Sequence, residues 1–110
     1  MLKLNGYKVK LEKGWYEGDQ LAITATCWDP DLKFWEPYGT LTKNLNYEGD
    51  NPAPEDCAYL DTNNIKNVEE FVKDFAEFTG KRKQSGYCTY HLYKFDIVKL
   101  DAIIAEQDKE

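Results

Sequence analysis

Hydrophobic and polar residues follow two different periods along this chain. From Tyr7 they alternate, with Tyr7, Val9 and Leu11 on one side and Lys8, Lys10 and Glu12 on the other, the two-residue period of a half-exposed strand. Gly14 and Gly18-Asp19 mark a turn, after which Leu21, Ile23, Ala25 and Cys27 alternate with Ala22, Thr24, Thr26 and Trp28 in a second strand. Asp29-Pro30-Asp31 has turn chemistry, because proline presets φ and aspartate accepts bonds from nearby amides. A third strand is predicted over Tyr38 to Leu45, with Leu41 and Leu45 facing one way and Tyr38, Thr40 and Thr42 the other. The three segments read as an antiparallel meander.

Asn46 to Asp56, with Gly49, Pro52, Pro54 and four acidic residues, reads as a surface loop and as the chain's candidate for a mobile segment. Cys57 to Leu60 follows as a short strand ending at Asp61-Thr62-Asn63-Asn64. From Asn67 the period becomes helical: Val68, Phe71, Val72, Phe75 and Phe78 fall on one stripe, while Glu69, Glu70, Lys73, Asp74 and Glu77 cover the solvated side. Asn67 with Glu70 fits an N-terminal capping box, and Gly80 fits the left-handed residue after the last turn. Lys81-Arg82-Lys83 then stands where cations favour the helix dipole, before an aromatic strand over Tyr87 to Asp96. A short C-terminal helix turns Ile97, Leu100, Ile103 and Ile104 inward. The fold class read from this pattern is α+β: an antiparallel sheet of four or five strands, one main helix over about Asn67 to Phe78 packed on one face, and a short C-terminal helix.

The length of 110 residues fits one domain with a core that needs neither metal nor disulfide. Aromatics at 15% exclude a disordered chain, and no contiguous apolar stretch is long enough to span a membrane. With 14 Lys and Arg against 20 Asp and Glu, the net charge of −6 argues against a protein that works by coating phosphates, and nucleic acid is not an expected partner. Cys27, Cys57 and Cys88 lack the spacing of a zinc site or a redox pair and read as small buried residues in a reducing cytosol. No leader-like apolar stretch follows Met1, so the expected location is cytoplasmic.

No cofactor is implied by the motifs. There is no glycine-rich phosphate loop, no GxSxG and no dinucleotide fingerprint, and the acidic stretch around Asp50-Asn51 lacks the alternating ligands of a calcium loop. His91 is the single histidine, so any general-base or imidazole-ligand chemistry must use it. The strand period places it with Tyr87, Thr89, Tyr93 and Phe95, opposite Cys88, Tyr90 and Leu92, without an evident carboxylate partner. A small-molecule site would have to gather Tyr87, Tyr90, His91 and Tyr93 with Asp61 or Asn63 from the preceding loop. The basic run with nearby tyrosines also superficially fits a single-strand binder, against the surrounding charge. Trp28, Phe34, Trp35 and Tyr38 concentrate aromatic area near a turn, the chemistry of a partner-binding patch.

The ordered segments Ala58-Tyr59-Leu60-Asp61-Thr62-Asn63-Asn64, then a helix and Gly80, then Ser85-Gly86-Tyr87-Cys88-Thr89-Tyr90-His91-Leu92-Tyr93-Lys94-Phe95, resemble the bacterial domain of unknown function 4313. Leu4-Asn5-Gly6-Tyr7-Lys8-Val9 and Tyr38-Gly39-Thr40-Leu41-Thr42-Lys43-Asn44-Leu45 fit the same pattern, so the resemblance spans nearly the whole chain. It implies small stand-alone proteins of bacteria and their mobile elements or phages, with no established enzyme activity. That family commonly has proline where His91 stands here, which weakens His91 as carrier of a shared activity. The expected function is a non-enzymatic, acidic protein-interaction module, an accessory or anti-defence protein of a mobile element, using the aromatic turn and the acidic surface toward a protein partner. The competing expectation is a small-molecule binder or enzyme built around His91.

Overall fold

The computed structural model describes residues 2–47, 49, 51 and 53–107. Strand β1 (Lys3–Leu4) returns as β2 (Tyr7–Trp15) through Asn5 and Gly6, both at positive φ (52° and 87°), the Asn-Gly turn whose twist matches a hairpin. The alternation of the next segment places β3 at Leu21–Asp29, with Leu21, Ile23, Ala25 and Cys27 buried beside Val9 and Leu11 of β2. Strand β4 is Phe34–Thr40, earlier than the predicted Tyr38 to Leu45. The reason lies in the turn: Asp29 Oδ1 accepts from the amides of Asp31 and Leu32 at 2.9 and 3.1 Å, and Lys33 at φ 56° closes it, so Phe34 already pairs with Asp29.

Leu41 carries the chain from one sheet to another. Its amide donates to the Ile23 carbonyl at 2.8 Å and its carbonyl accepts from Asp61 at 2.8 Å, after which β5 (Thr42–Lys43) pairs with β6 (Cys57–Leu60). Two four-stranded antiparallel sheets result, β1-β2-β3-β4 and β5-β6-β8-β7, in place of the predicted single sheet of four or five strands. The inner face of the first sheet meets Ala58, Leu60 and Phe95 of the second in one core, with Val68, Val72, Phe75 and Leu100 contributed from outside the strands.

The predicted main helix is the largest correction. Helix α1 spans only Val68–Val72, and β7 (Ala76–Ser85) begins where the stripe should have continued. Val68, Val72 and Phe75 keep the inward positions, but Ala76, Glu77 and Phe78 pair with Phe95, Lys94 and Tyr93 of β8 (Cys88–Phe95). Pairing with β8, where Phe78 stacks on Tyr93 at 5.8 Å, outweighs a helical preference that summed propensity holds only weakly. Asn67 sits at φ 63° and sends its amide to Asn5 at 2.8 Å, so the capping box does not form. Gly80, at φ 89°, lies in a β-bulge rather than at a helix end, and Lys81-Arg82-Lys83 belong to β7. The C-terminal helix α2 (Ile97–Gln107) is the longer of the two, and it turns Leu100 into the core as its stripe predicted.

A second apolar cluster, Ala53, Cys57, Tyr59, Tyr90 and Leu92, fills the other face of the second sheet. The described part of the predicted mobile loop covers it: Tyr47 packs there beside Leu45, the end of the predicted third strand, and the Ala53 amide donates to buried Gln20 at 3.1 Å. Glu48, Asp50 and Pro52 of that loop lie outside the described residues. Lys81 reaches the Tyr47 hydroxyl and Lys83 the Asn46 carbonyl, which ties the segment to β7. Exposed strand edges are guarded: Pro37 and a bulge interrupt β4, and the bulge with its basic run does the same for β7.

Candidate functional site

Because β8 alternates, His91 and Tyr93 leave the sheet on the side facing α1, while Tyr90 and Leu92 enter the second cluster. Glu69 of α1, expected on the solvated face of a long helix, points its carboxylate at them. Its Oε1 lies 2.6 Å from His91 Nδ1 and accepts from the Tyr93 hydroxyl at 3.1 Å. The bulge in β7 brings Phe78 over the pair: its ring stacks on His91 with centroids 4.7 Å apart at 26°. Arg82, directly across from His91, places its guanidinium 5.0 Å from the Phe78 centroid.

Burial, then the charge and hydrogen bond of Glu69, push the Tyr93 hydroxyl up to about 12, so it is a neutral donor at neutral pH. A carboxylate on Nδ1 orients the imidazole and leaves Nε2 as the atom that can meet a ligand. A cavity of about 370 Å³ lined by Thr62, Ile65, Asn67, Val68, Glu69 and Glu70 borders the same carboxylate. The other residues proposed from sequence do not join them. Asp61 is buried and holds the Asn64 amide and side chain at 3.2 and 2.9 Å, so its role is to close a turn, with Asn63 exposed beside it. Tyr87 stands free at the β7–β8 hairpin tip, and Tyr90 is buried on the opposite face, where desolvation raises its hydroxyl above the ordinary value.

The aromatic patch also divides. Trp28 and Trp35 face each other across β3 and β4 with centroids 5.5 Å apart, on the outer side of the first sheet and in neither core cluster. Lys10 Nζ lies 4.6 Å from the Trp35 ring centre. Phe34, one residue away, projects to the opposite face and is 44% exposed. Tyr38 turns toward the core, its ring 6.1 Å from Tyr7 and its hydroxyl accepting from Asn5 at 2.9 Å.

A groove of about 540 Å³ between the start of β7 and the start of α2 includes neither the Glu69–His91 contact nor the tryptophan pair, and its Asp56 and Asp96 are engaged with Lys94 and the α2 N-terminus. Among the described residues no three His, Cys, Asp or Glu side chains converge as a metal-ligand set, and no helix is long and apolar enough to cross a membrane.

A family model described as domain of unknown function (DUF4313) matches residues 9–108. The chain belongs to the DUF4313 family. Comparison with curated proteins and with solved structures returns no match. The DUF4313 match covers both clusters, since Lys10, Trp28, Trp35, Glu69, Phe78, Arg82, His91 and Tyr93 all fall within it.

Sequence reasoning missed Glu69, Phe78, Arg82 and Lys10. Lys10 was within reach, because the alternation that puts Trp28 opposite Cys27 also puts Lys10 opposite Val9 and Leu11. For Glu69 there was no signal, since its partner is 22 residues away on an element whose pairing the helical stripe concealed.

Proposed function

We propose that this protein is a non-enzymatic protein-interaction module that docks its partner on the outer face of the β1-β2-β3-β4 sheet. One observation carries the reading: Trp28 and Trp35 lie outside both cores, with exposed Lys8, Glu12, Thr24 and Pro37 around them. Tryptophan concentrates binding energy at interfaces, and a pair packed ring against ring at a 57° tilt is already ordered, so little side-chain entropy remains to be lost on docking. A role as an accessory or anti-defence protein of a mobile element belongs to the same proposal and draws on the family resemblance alone.

Partner capture from a lysate of the native host tests it, with Trp28→Ala/Trp35→Ala and Phe34→Ala compared with the unaltered chain. A protein retained by the unaltered chain and by Phe34→Ala, but lost by the double variant, supports the face. Equal capture by all three sinks it.

A second reading is favoured by the Glu69–His91 contact, which supplies the carboxylate that a His91-centred ligand site requires. It predicts that a small-molecule library contains a ligand that shifts the His91 imidazole resonances and fails to bind His91→Ala. A library that leaves those resonances unmoved counts against it.

A further inference from the structure

Partners across an antiparallel ladder share a face, so the pairing of β1, β2 and β3 fixes which charges accompany the tryptophans. Lys3 pairs with Lys8, Lys10 with Thr26, and Glu12 with Thr24, while Trp28 pairs with Trp35. Three lysines therefore stand on the tryptophan face against one glutamate, a surplus of two positive charges on a chain whose net charge is −6. No carboxylate lies within ion-pair distance of Lys3, Lys8 or Lys10 among the described residues.

We infer that this face takes an acidic polypeptide segment, with carboxylates set against Lys3, Lys8 and Lys10 and an apolar side chain against Trp28 and Trp35. The inference rests on the docking reading given above and names the chemistry of the partner. Charges farther than a Debye length of about 8 Å are largely screened at physiological salt. A partner lying along β1 and β2 therefore meets Lys3, Lys8 and Lys10 rather than the distant acidic surface, with Asp29 and Asp31 confined to the β3–β4 turn at the end of the face. A nucleic acid fits less well. It carries charge along its full length past an otherwise acidic surface, and it stacks bases on open ring faces, whereas here the two indoles are tilted at 57° and Lys10 covers Trp35. A second copy offering its acidic surface would make a head-to-tail contact that does not close on itself.

The test uses the full chain carrying Trp15→Phe, so that fluorescence reports Trp28 and Trp35 alone. It is titrated at low salt with a synthetic peptide of alternating glutamate and valine, with the lysine-for-glutamate counterpart, and with oligothymidylate. The expected result is a fluorescence change with the acidic peptide only, weakening with added salt and about tenfold weaker in Lys8→Glu/Lys10→Glu. A response to oligothymidylate without one to the acidic peptide overturns the inference in favour of nucleic acid. A sedimentation mass that rises with concentration and falls back in Lys8→Glu/Lys10→Glu overturns it in favour of self-association. Silence toward every probe, while Trp28→Ala/Trp35→Ala still loses its captured partner, overturns the acidic chemistry and leaves the docking face standing. Unchanged capture by that double variant removes the docking face itself.

Discussion

Glu69 Oε1 and His91 Nδ1 meet at 2.6 Å across 22 residues of sequence, and Tyr93 donates to the same oxygen at 3.1 Å. The contact fastens a helix too short to persist alone onto the strand that crosses the middle of the second sheet. Both partners of the pair are about one-third exposed, so water can replace much of what is lost when it breaks. Glu69→Ala is therefore expected to lower stability by about 1 kcal/mol in urea unfolding. Glu70→Ala, whose side chain reaches Lys73 at the surface, should stay within about 0.5 kcal/mol of the parent. Equal effects at the two positions would show that the Glu69 contact contributes nothing.

Tyr93 links that cluster to alkaline pH. An unfolded tyrosine ionises near about 10, whereas burial and Glu69 push this hydroxyl up to about 12 in the folded chain. The folded state thus keeps a proton that the unfolded state has lost, and stability falls as pH rises from about 10 to about 12. Cys57, pushed up from its ordinary value of 9.0 to about 11 by burial and by Asp56, adds a slope of the same sign that begins lower, between about pH 9 and about pH 11, and overlaps the Tyr93 window only in part. Unfolding midpoints measured across this range should decline less steeply in Tyr93→Phe, though still perceptibly.

Gln107 completes a strand edge. Beyond the two residues of β1, the Leu11 amide and carbonyl have no ladder partner on that side, and the Gln107 side chain accepts from one at 2.9 Å and donates to the other at 2.5 Å. Gln107→Ala leaves both groups unpaired in a partly buried place, with an expected loss of about 1–2 kcal/mol and faster amide exchange at Leu11. Glu substitution retains the acceptor but not the donor and should fall between the two. Unaltered exchange at Leu11 in the alanine variant would refute this account.

Gly39 faces the core where β4 passes Ile65. A Cβ at residue 39 would stand 2.8 Å from Ile65 Cδ1, and Ile65 is buried too deeply to swing clear without disturbing its neighbours. Gly39→Ala should cost about 1–2 kcal/mol in thermal or urea unfolding, and Ile65→Val about 1 kcal/mol through its lost methyl. Removing that methyl also removes the clash, so the double variant should be more stable than the two losses added together predict. Simple additivity would place the cost of Gly39→Ala elsewhere.

Much of the local structure was legible because it is written in neighbours. Alternation at Val9 to Cys27 set two strands and their buried faces, alternation from Tyr87 put His91 with Tyr93 and away from Tyr90, and the last apolar stripe set the inward side of α2. The ordered motifs likewise pointed to the family that the match over residues 9–108 establishes. What the chain by itself determined was thus which residues alternate and which way each strand faces, since backbone geometry fixes a side chain's direction within one or two residues.

Only the tertiary structure decided the partners. Leu41 divides one extended run between two sheets because its amide and carbonyl are taken by Ile23 and Asp61, residues that no local pattern links. Phe78 fits a helical stripe and a strand ladder equally well on paper, and the free positions along β8 draw it into the ladder. That choice ends α1 after Val72, leaves Glu69 on a short helix above His91, and turns Lys81 and Lys83 toward Tyr47 and Asn46 with Arg82 on the other side. Register operates in the same way on the first sheet: a hairpin pairing sets Lys8 and Lys10 beside Trp28 and Trp35, and a slip of one residue would have buried the lysines instead. Long-range pairing selects among local options of nearly equal energy, and for that reason both candidate sites became visible only once the strands were in place.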